Sequence, residues 1–298
     1  MPDNMPGDTP DFPILPQHKD HSRRWQENLY VYPVLSRRSR GLSIGVNLNP
    51  DTACNFDCIY CQVDRTVVPR VRDVDMRVLR DELTDMIDRA VSRKLFAAPP
   101  FDDVPPELQV VRDIAFSGDG EPTTCPVFPE AVQLAAELRN RYGLHDTKLV
   151  LITDAGYLDR HQVVSALEVM DRNGGEIWAK LDAGTEAYYE QVNKPNMPLS
   201  RIVQNIAGAA RVRPIVIQSM FLRIDGVGPS ESEVSAYVQR LRDIVSAGGA
   251  IEYVQVYTVA RPPALSSVTS LSHQEVDDIV RAVQEAGFGA EPFYGSSN

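Results

Sequence analysis

Cysteine is scarce in this chain, four residues in 298, which excludes the disulfide framework that small secreted domains build from an even set of spaced cysteines. Long apolar runs are missing as well: no stretch approaches the roughly 18 residues of a membrane-spanning helix. The start, MPDNMPGDTP, has neither the basic nor the apolar region of a signal peptide, so a cytoplasmic protein without membrane contact is expected. Positive charge is in deficit, 30 Lys and Arg against 41 Asp and Glu, for a net charge of −11 and a pI near 5.0. That balance disfavours broad affinity for nucleic acid, tRNA included, because phosphate binding needs a basic face. The five histidines are scattered: His18 and His21 lie in the N-terminal tail, and His145, His161 and His273 fall at turns or helix starts, so all read as surface residues.

Three of the four cysteines nevertheless sit together, as Cys54, Cys58 and Cys61 in CNFDCIYC. Structural zinc sites want four protein ligands, usually as two close pairs, and two-cluster ferredoxins use a Cys-x2-Cys-x2-Cys run with four ligands per cluster. Three thiolates at Cys-x3-Cys-x2-Cys spacing leave the fourth iron of a cubane cluster without a protein ligand, open to a reactant. A non-catalytic iron–sulfur or zinc module is the alternative in a different class. Cys125, the remaining cysteine, reads as a small buried residue.

With Tyr60 just before the third cysteine, CNFDCIYC resembles the cluster loop of the radical S-adenosylmethionine (radical SAM) superfamily. The resemblance implies a [4Fe-4S] cluster on Cys54, Cys58 and Cys61. It also implies S-adenosylmethionine (SAM) chelating the open iron, cleavage of SAM to a 5′-deoxyadenosyl radical, and a reductant such as flavodoxin or ferredoxin. Such chemistry belongs to the cofactor, and the protein supplies orientation and exclusion of water.

The 43% hydrophobic and 24% charged composition is that of an ordinary globular chain. Pro2, Pro6, Pro10, Pro13 and Pro16 mark residues 1–42 as a partly disordered N-terminal extension, with the aromatics of 25–32 packing on a main domain of residues 43–298. Short β-branched runs then alternate with amphipathic helical patterns, the signature of parallel βαβ units. Strands are expected at Ser43–Leu48, Asp113–Ser117, Leu149–Thr153, Ile177–Leu181, Ile215–Phe221 and Tyr253–Tyr257. Helices are expected at Arg77–Arg93, on the stripe Leu79, Leu83, Met86, Ile87 and Ala90, and at Glu130–Tyr142 before Gly143. Capping boxes Ser230 with Glu233 and Ser272 with Glu275 should open two later helices. The proline-rich segment 97–108 reads as a surface loop or lid. The fold class is α/β, a partial TIM-type (β/α)6 barrel with an N-terminal extension, as the superfamily resemblance also implies; a doubly wound open sheet is the competing architecture.

In parallel α/β barrels, reactive groups gather at the carboxyl ends of the strands. Here those ends read CNFDCIYC, SGDGEPT, TDAG, KLDAG, RIDGVG and YTVARPP. Gly118 and Gly120 would let backbone approach a ligand, and Glu121 would place a carboxylate for an ammonium. The loop resembles the superfamily's Gly-Gly-Glu motif, with Asp119 interposed, which implies contact with the SAM amino group. Lys180 and Asp182 share a face by strand alternation; the resemblance implies contact with the SAM ribose or carboxylate. Thr153 ends the third strand in the same way, and Gln255 and Tyr257 would border adenine or substrate. Arg37, Arg38 and Arg40 before the cysteine loop, and Arg65, Arg70 and Arg72 after it, would make its neighbourhood locally positive, suited to an acidic electron donor or an anionic substrate.

From residue 39 to residue 263 the motifs resemble a branch of iron–sulfur oxidoreductases allied to the wyosine-forming tRNA enzymes. Those enzymes hold a second cluster on additional N-terminal cysteines, and no cysteine precedes Cys54 here. The expected activity is therefore radical SAM chemistry on an unidentified, small substrate, with wyosine-type tRNA modification as the alternative.

Overall fold

The computed structural model describes residues 15, 17, 25–261, 263 and 265–295. The prolines and histidines noted in the N-terminal tail, and Pro262, lie outside the described residues.

Among the described residues, ten strands and seven α-helices alternate. They are β1 (Val31–Ser36), β2 (Gly41–Val46), α1 (Met76–Val91), β3 (Val111–Phe116), α2 (Phe128–Arg141), β4 (Lys148–Thr153), α3 (His161–Asp171), β5 (Gly175–Lys180), α4 (Glu186–Asn193), α5 (Leu199–Ala210), β6 (Ile215–Met220), β7 (Leu222–Ile224), α6 (Glu231–Ser246), β8 (Ile251–Tyr257), β9 (Val268–Ser270), α7 (His273–Glu285) and β10 (Ala290–Phe293). The main sheet runs β1-β2-β3-β4-β5-β6-β8-β10, and β7 pairs with β9 in a separate ribbon. From β2 to β10 every pairing is parallel. The sheet curls into an open half-barrel, so the six expected parallel strands are all present, each within two residues of its expected limits.

Alternation explains the layering. In β2, Leu42, Ile44 and Val46 are buried under the helices, while Ser43 and Gly45 face the concave side. The helices cover the convex face as their apolar stripes require, and α1 buries Leu79, Leu83, Met86, Ile87 and Ala90 as expected.

Three expectations change. The sheet begins ahead of Ser43, because β1 pairs antiparallel with the whole of β2 and buries Val31, Tyr32, Val34 and Leu35. Its entry is held by Glu82 of α1, whose carboxylate accepts from the amides of Leu29, Tyr30 and Val31 at 2.7–3.0 Å. The segment 97–108 is no lid: Phe101, Val104 and Leu108 are buried in the main core. It leads into the amino end of β3, opposite the strand ends that carry the cysteine loop. Ser272 and Glu275 form the expected capping box, but at α6 only Ser230 caps. Glu233 turns away to accept from Gly184 N at 2.5 Å and the Thr185 hydroxyl at 2.5 Å, fixing the loop after β5.

Candidate active site

The cysteine loop crosses the carboxyl ends of the strands above a cavity of about 350 Å³. Cys54, Cys58 and Cys61 all line it, together with Tyr60, Gly118, Gly120, Glu121, Thr153, Lys180 and Tyr257. Cys125 lies apart, buried in the main core. Burial pushes the Cys54 thiol up to about 11 and the Cys58 thiol up to about 12. Both are therefore protonated at neutral pH until a metal displaces the proton. Three thiols on one loop facing one cavity fit an iron–sulfur cluster. No three Cys, His or carboxylate side chains among the described residues form a group that could hold a metal ion as they stand.

The loop is fastened to α4 and the turn after it. Ile59 N donates to Val192 O at 2.9 Å and Asp57 N to Asn193 O at 3.2 Å, and Phe56 meets the Tyr189 ring edge-on at 5.8 Å. Asn193 is the hub: its side-chain amide donates to Asp182 Oδ2 at 2.7 Å and to Cys58 Sγ at 3.5 Å. Nothing in the sequence pointed to Asn193, because its partner Cys58 lies 135 positions away.

Asp182 is not part of the cavity wall. Its side chain is wholly buried, with Oδ1 accepting from Met220 N at 2.8 Å and Oδ2 from the Tyr60 hydroxyl and Asn193. The carboxylate thus ties Tyr60, and with it the cysteine loop, to β5 and β6. Lys180 does line the cavity, 3.4 Å from Asp182 and donating to the Tyr257 hydroxyl at 2.8 Å. Burial would lower its pKa, but Asp182, Tyr257 and Cys58 pull it above the ordinary lysine range, so the amine is held as an ammonium.

Glu121 stands in the cavity wall but is already engaged. Oε1 accepts from the Thr123 amide and hydroxyl and from the Thr153 hydroxyl at 2.7 Å, and Oε2 accepts from Asp154 N at 2.7 Å. It stitches the loop after β3 to the loop after β4. Asp154 Oδ1 accepts from Gly156 N at 2.8 Å, while Oδ2 is buried with no hydrogen-bond partner among the described residues. Burial raises the pKa of both carboxyls, and the charge of Glu121 raises Asp154 further.

The glycines, both in the cavity wall, also serve a close approach within the protein. A Cβ on Gly120 would lie 2.0 Å from Ala53 O, and one on Gly118 would lie 2.1 Å from Asn47 Oδ1. They let the third strand's loop abut the loop that carries the cysteines. Asn47 completes the seam by accepting from Asp119 N at 3.1 Å and donating to Asp119 Oδ2 at 2.7 Å. Gln255 is fully buried below the cavity, its amide accepting from Gln218 at 2.9 Å and donating to the Tyr253 hydroxyl at 2.8 Å. Tyr257, two residues on, is in the wall.

The open parallel half-barrel is a fold this chain shares with solved radical SAM enzymes. No family model matches the chain. Among curated proteins, a UPF0026 protein of Helicobacter pylori is 25% identical over 256 residues, 84% of this chain and 73% of the relative. A radical SAM methyltransferase from Sphaerobacter thermophilus superposes with a TM-score of 0.62 at 14% identity, covering 90% of this chain and 70% of that one. TYW1 with a lysine-pyruvate adduct bound superposes at 0.52 and 14% identity, over 83% of this chain and 74% of that one. Among the described residues no helix is long and apolar enough to cross a membrane.

Proposed function

We propose that this chain is a radical SAM enzyme whose Cys54, Cys58 and Cys61 hold one [4Fe-4S] cluster. The observation that carries the reading is the convergence of these three thiols, and no fourth, on a cavity inside the half-barrel. When bound, that cluster would supply the electron that cleaves SAM to methionine and a 5′-deoxyadenosyl radical able to abstract hydrogen from a substrate. The protein's part is positional. Asp182 and Asn193 fix Tyr60 and Cys58, the glycine seam fixes Ala53 beside Cys54, and Glu121 holds two strand-end loops in one wall. Lys180 presents a cation to the cavity, suited to a carboxylate or to hydroxyl oxygens. Anaerobic reconstitution with iron and sulfide should give charge-transfer absorption and, with SAM and a strong reductant, 5′-deoxyadenosine. Cys58→Ala should abolish that product, and persistent turnover in the variant would remove the triad from the reaction.

The TYW1 likeness supports a second reading, modification of tRNA. It requires salt-dependent tRNA binding. We expect none from a chain of net charge −11, and a gel shift at low salt that weakens as salt is added would reverse the preference.

A further inference from the structure

The concave face of the half-barrel is not filled as a closed barrel would be. On β2 and β3 the inward positions are Ser43, Gly45, Asp113 and Ala115, with Ser117 just past the end of β3, all smaller than the aromatics facing them, and the Tyr32 ring lies across Gly45, where a Cβ would stand 2.3 Å from it. Opposite them, on β5 and β8, stand Trp178, Lys180 and Tyr257. This unequal lining continues the cavity from the cysteine loop down to the β1–β2 turn, where Arg37 and Arg38 enter it from below.

Arg38 is the unusual group there. Its guanidinium lies 5.6 Å from the Trp178 ring centroid and 5.4 Å from that of Tyr257, so its charge meets aromatic faces. Among the described residues it has no salt bridge and no hydrogen bond, although a guanidinium carries five N–H donors. Arg37, beside it, donates to Tyr294 O at 2.9 Å. The carboxyl that acts on Arg38 is Asp113, which is buried, accepts from the Ser43 hydroxyl and is pushed up by its burial. Lys180, higher in the cavity, is matched by Asp182. The floor therefore sets a half-buried guanidinium, whose donors have no partner among the described residues, against two aromatic faces and the one carboxyl of Asp113, and a bound anion would take up those donors.

We propose that Arg38 anchors an anionic substrate: the hollow takes a small organic molecule bearing a carboxylate or a phosphate, its anionic end on the Arg38 guanidinium and its carbon frame reaching toward the cysteine loop. The claim that this molecule is the substrate rests on the function proposed above; the anion site does not. A cavity of about 350 Å³ is at the small end of ligand pockets, which suits a small molecule.

The test uses the full chain without iron or SAM, so its failure is separate from a failure of SAM cleavage. The chain has two tryptophans, and Trp25→Phe leaves Trp178, which lies against Arg38, as the single fluorescent reporter. Benzoate and phenyl phosphate serve as probes, with benzamide as the uncharged control. At least one anion should change Trp178 emission saturably, and Arg38→Gln should weaken its binding about tenfold or more, the loss expected for a charged hydrogen bond. Arg38→Lys, which keeps the charge but loses the fork, should fall between. Thermal melting of each variant establishes that it is folded before binding is measured. A stronger response to benzoate assigns a carboxylate and a stronger response to phenyl phosphate assigns a phosphate. Benzamide binding as tightly as the anions, unchanged binding in folded Arg38→Gln, or no saturable response to either anion would overturn the site.

Discussion

Gly120 lacks a side chain because Ala53 O stands where one would be, 2.0 Å from an ideal Cβ. Backbone cannot swing aside as a flexible side chain can, so Gly120→Ala should part the two loops. We expect a loss of about 1–3 kcal/mol, the usual cost of overpacking, together with poorer iron and sulfide loading, because Cys54 follows Ala53 directly. A thermal melt and loading stoichiometry equal to those of the parent would show that the seam opens freely. The sequence exposed these glycines at a strand end but not what they approach. Glu121 illustrates the same limit: its position was legible, yet whether its oxygens were free depended on Thr153 and Asp154, from the next strand end.

At the scale of elements, the proline-rich segment 97–108 shows how composition misleads. Its prolines and acidic residues read as a solvated loop, but Phe101 meets the Phe96 and Trp25 rings edge-on at 6.4 Å and 5.9 Å, and Leu108 is buried beside it. Phe101→Ala should cost about 3–5 kcal/mol, as large aromatic truncations in a core do, read as a lowered denaturant midpoint. A lid would instead tolerate the change, so an unmoved midpoint would count against the core assignment. The helices were easier to read, because the 3.6-residue apolar stripe of α1 is a local pattern that packing on the sheet preserves.

For the whole molecule, the decisive addition is β1. A chain beginning at Ser43 would lose Val31, Tyr32, Val34 and Leu35 from the core and expose an edge of β2. At about 1.5–3 kcal/mol per buried apolar side chain, that loss is comparable with the roughly 5–15 kcal/mol that holds a domain folded. We expect the truncated chain to lack a cooperative urea transition by circular dichroism; a sharp transition would make the segment before Ser43 dispensable. Removing it would also delete Arg37 and Arg38, so the N-terminal region belongs to the cavity as well as to the sheet.

By itself the sequence determined the parallel α/β order, six of the strands, the placement of reactive loops at their carboxyl ends, and the cysteine triad. These follow from periodicity and spacing, which act over a few residues. The tertiary structure alone decided that Asp182 and Gln255 turn to protein partners, that Asn193 reaches Cys58, and that small residues on β2 and β3 open a hollow beneath Arg38. Alternation tells which face a side chain takes. Whether its lone pairs are already satisfied, and whether space remains beside it, depends on residues far away in the chain that folding brings into contact.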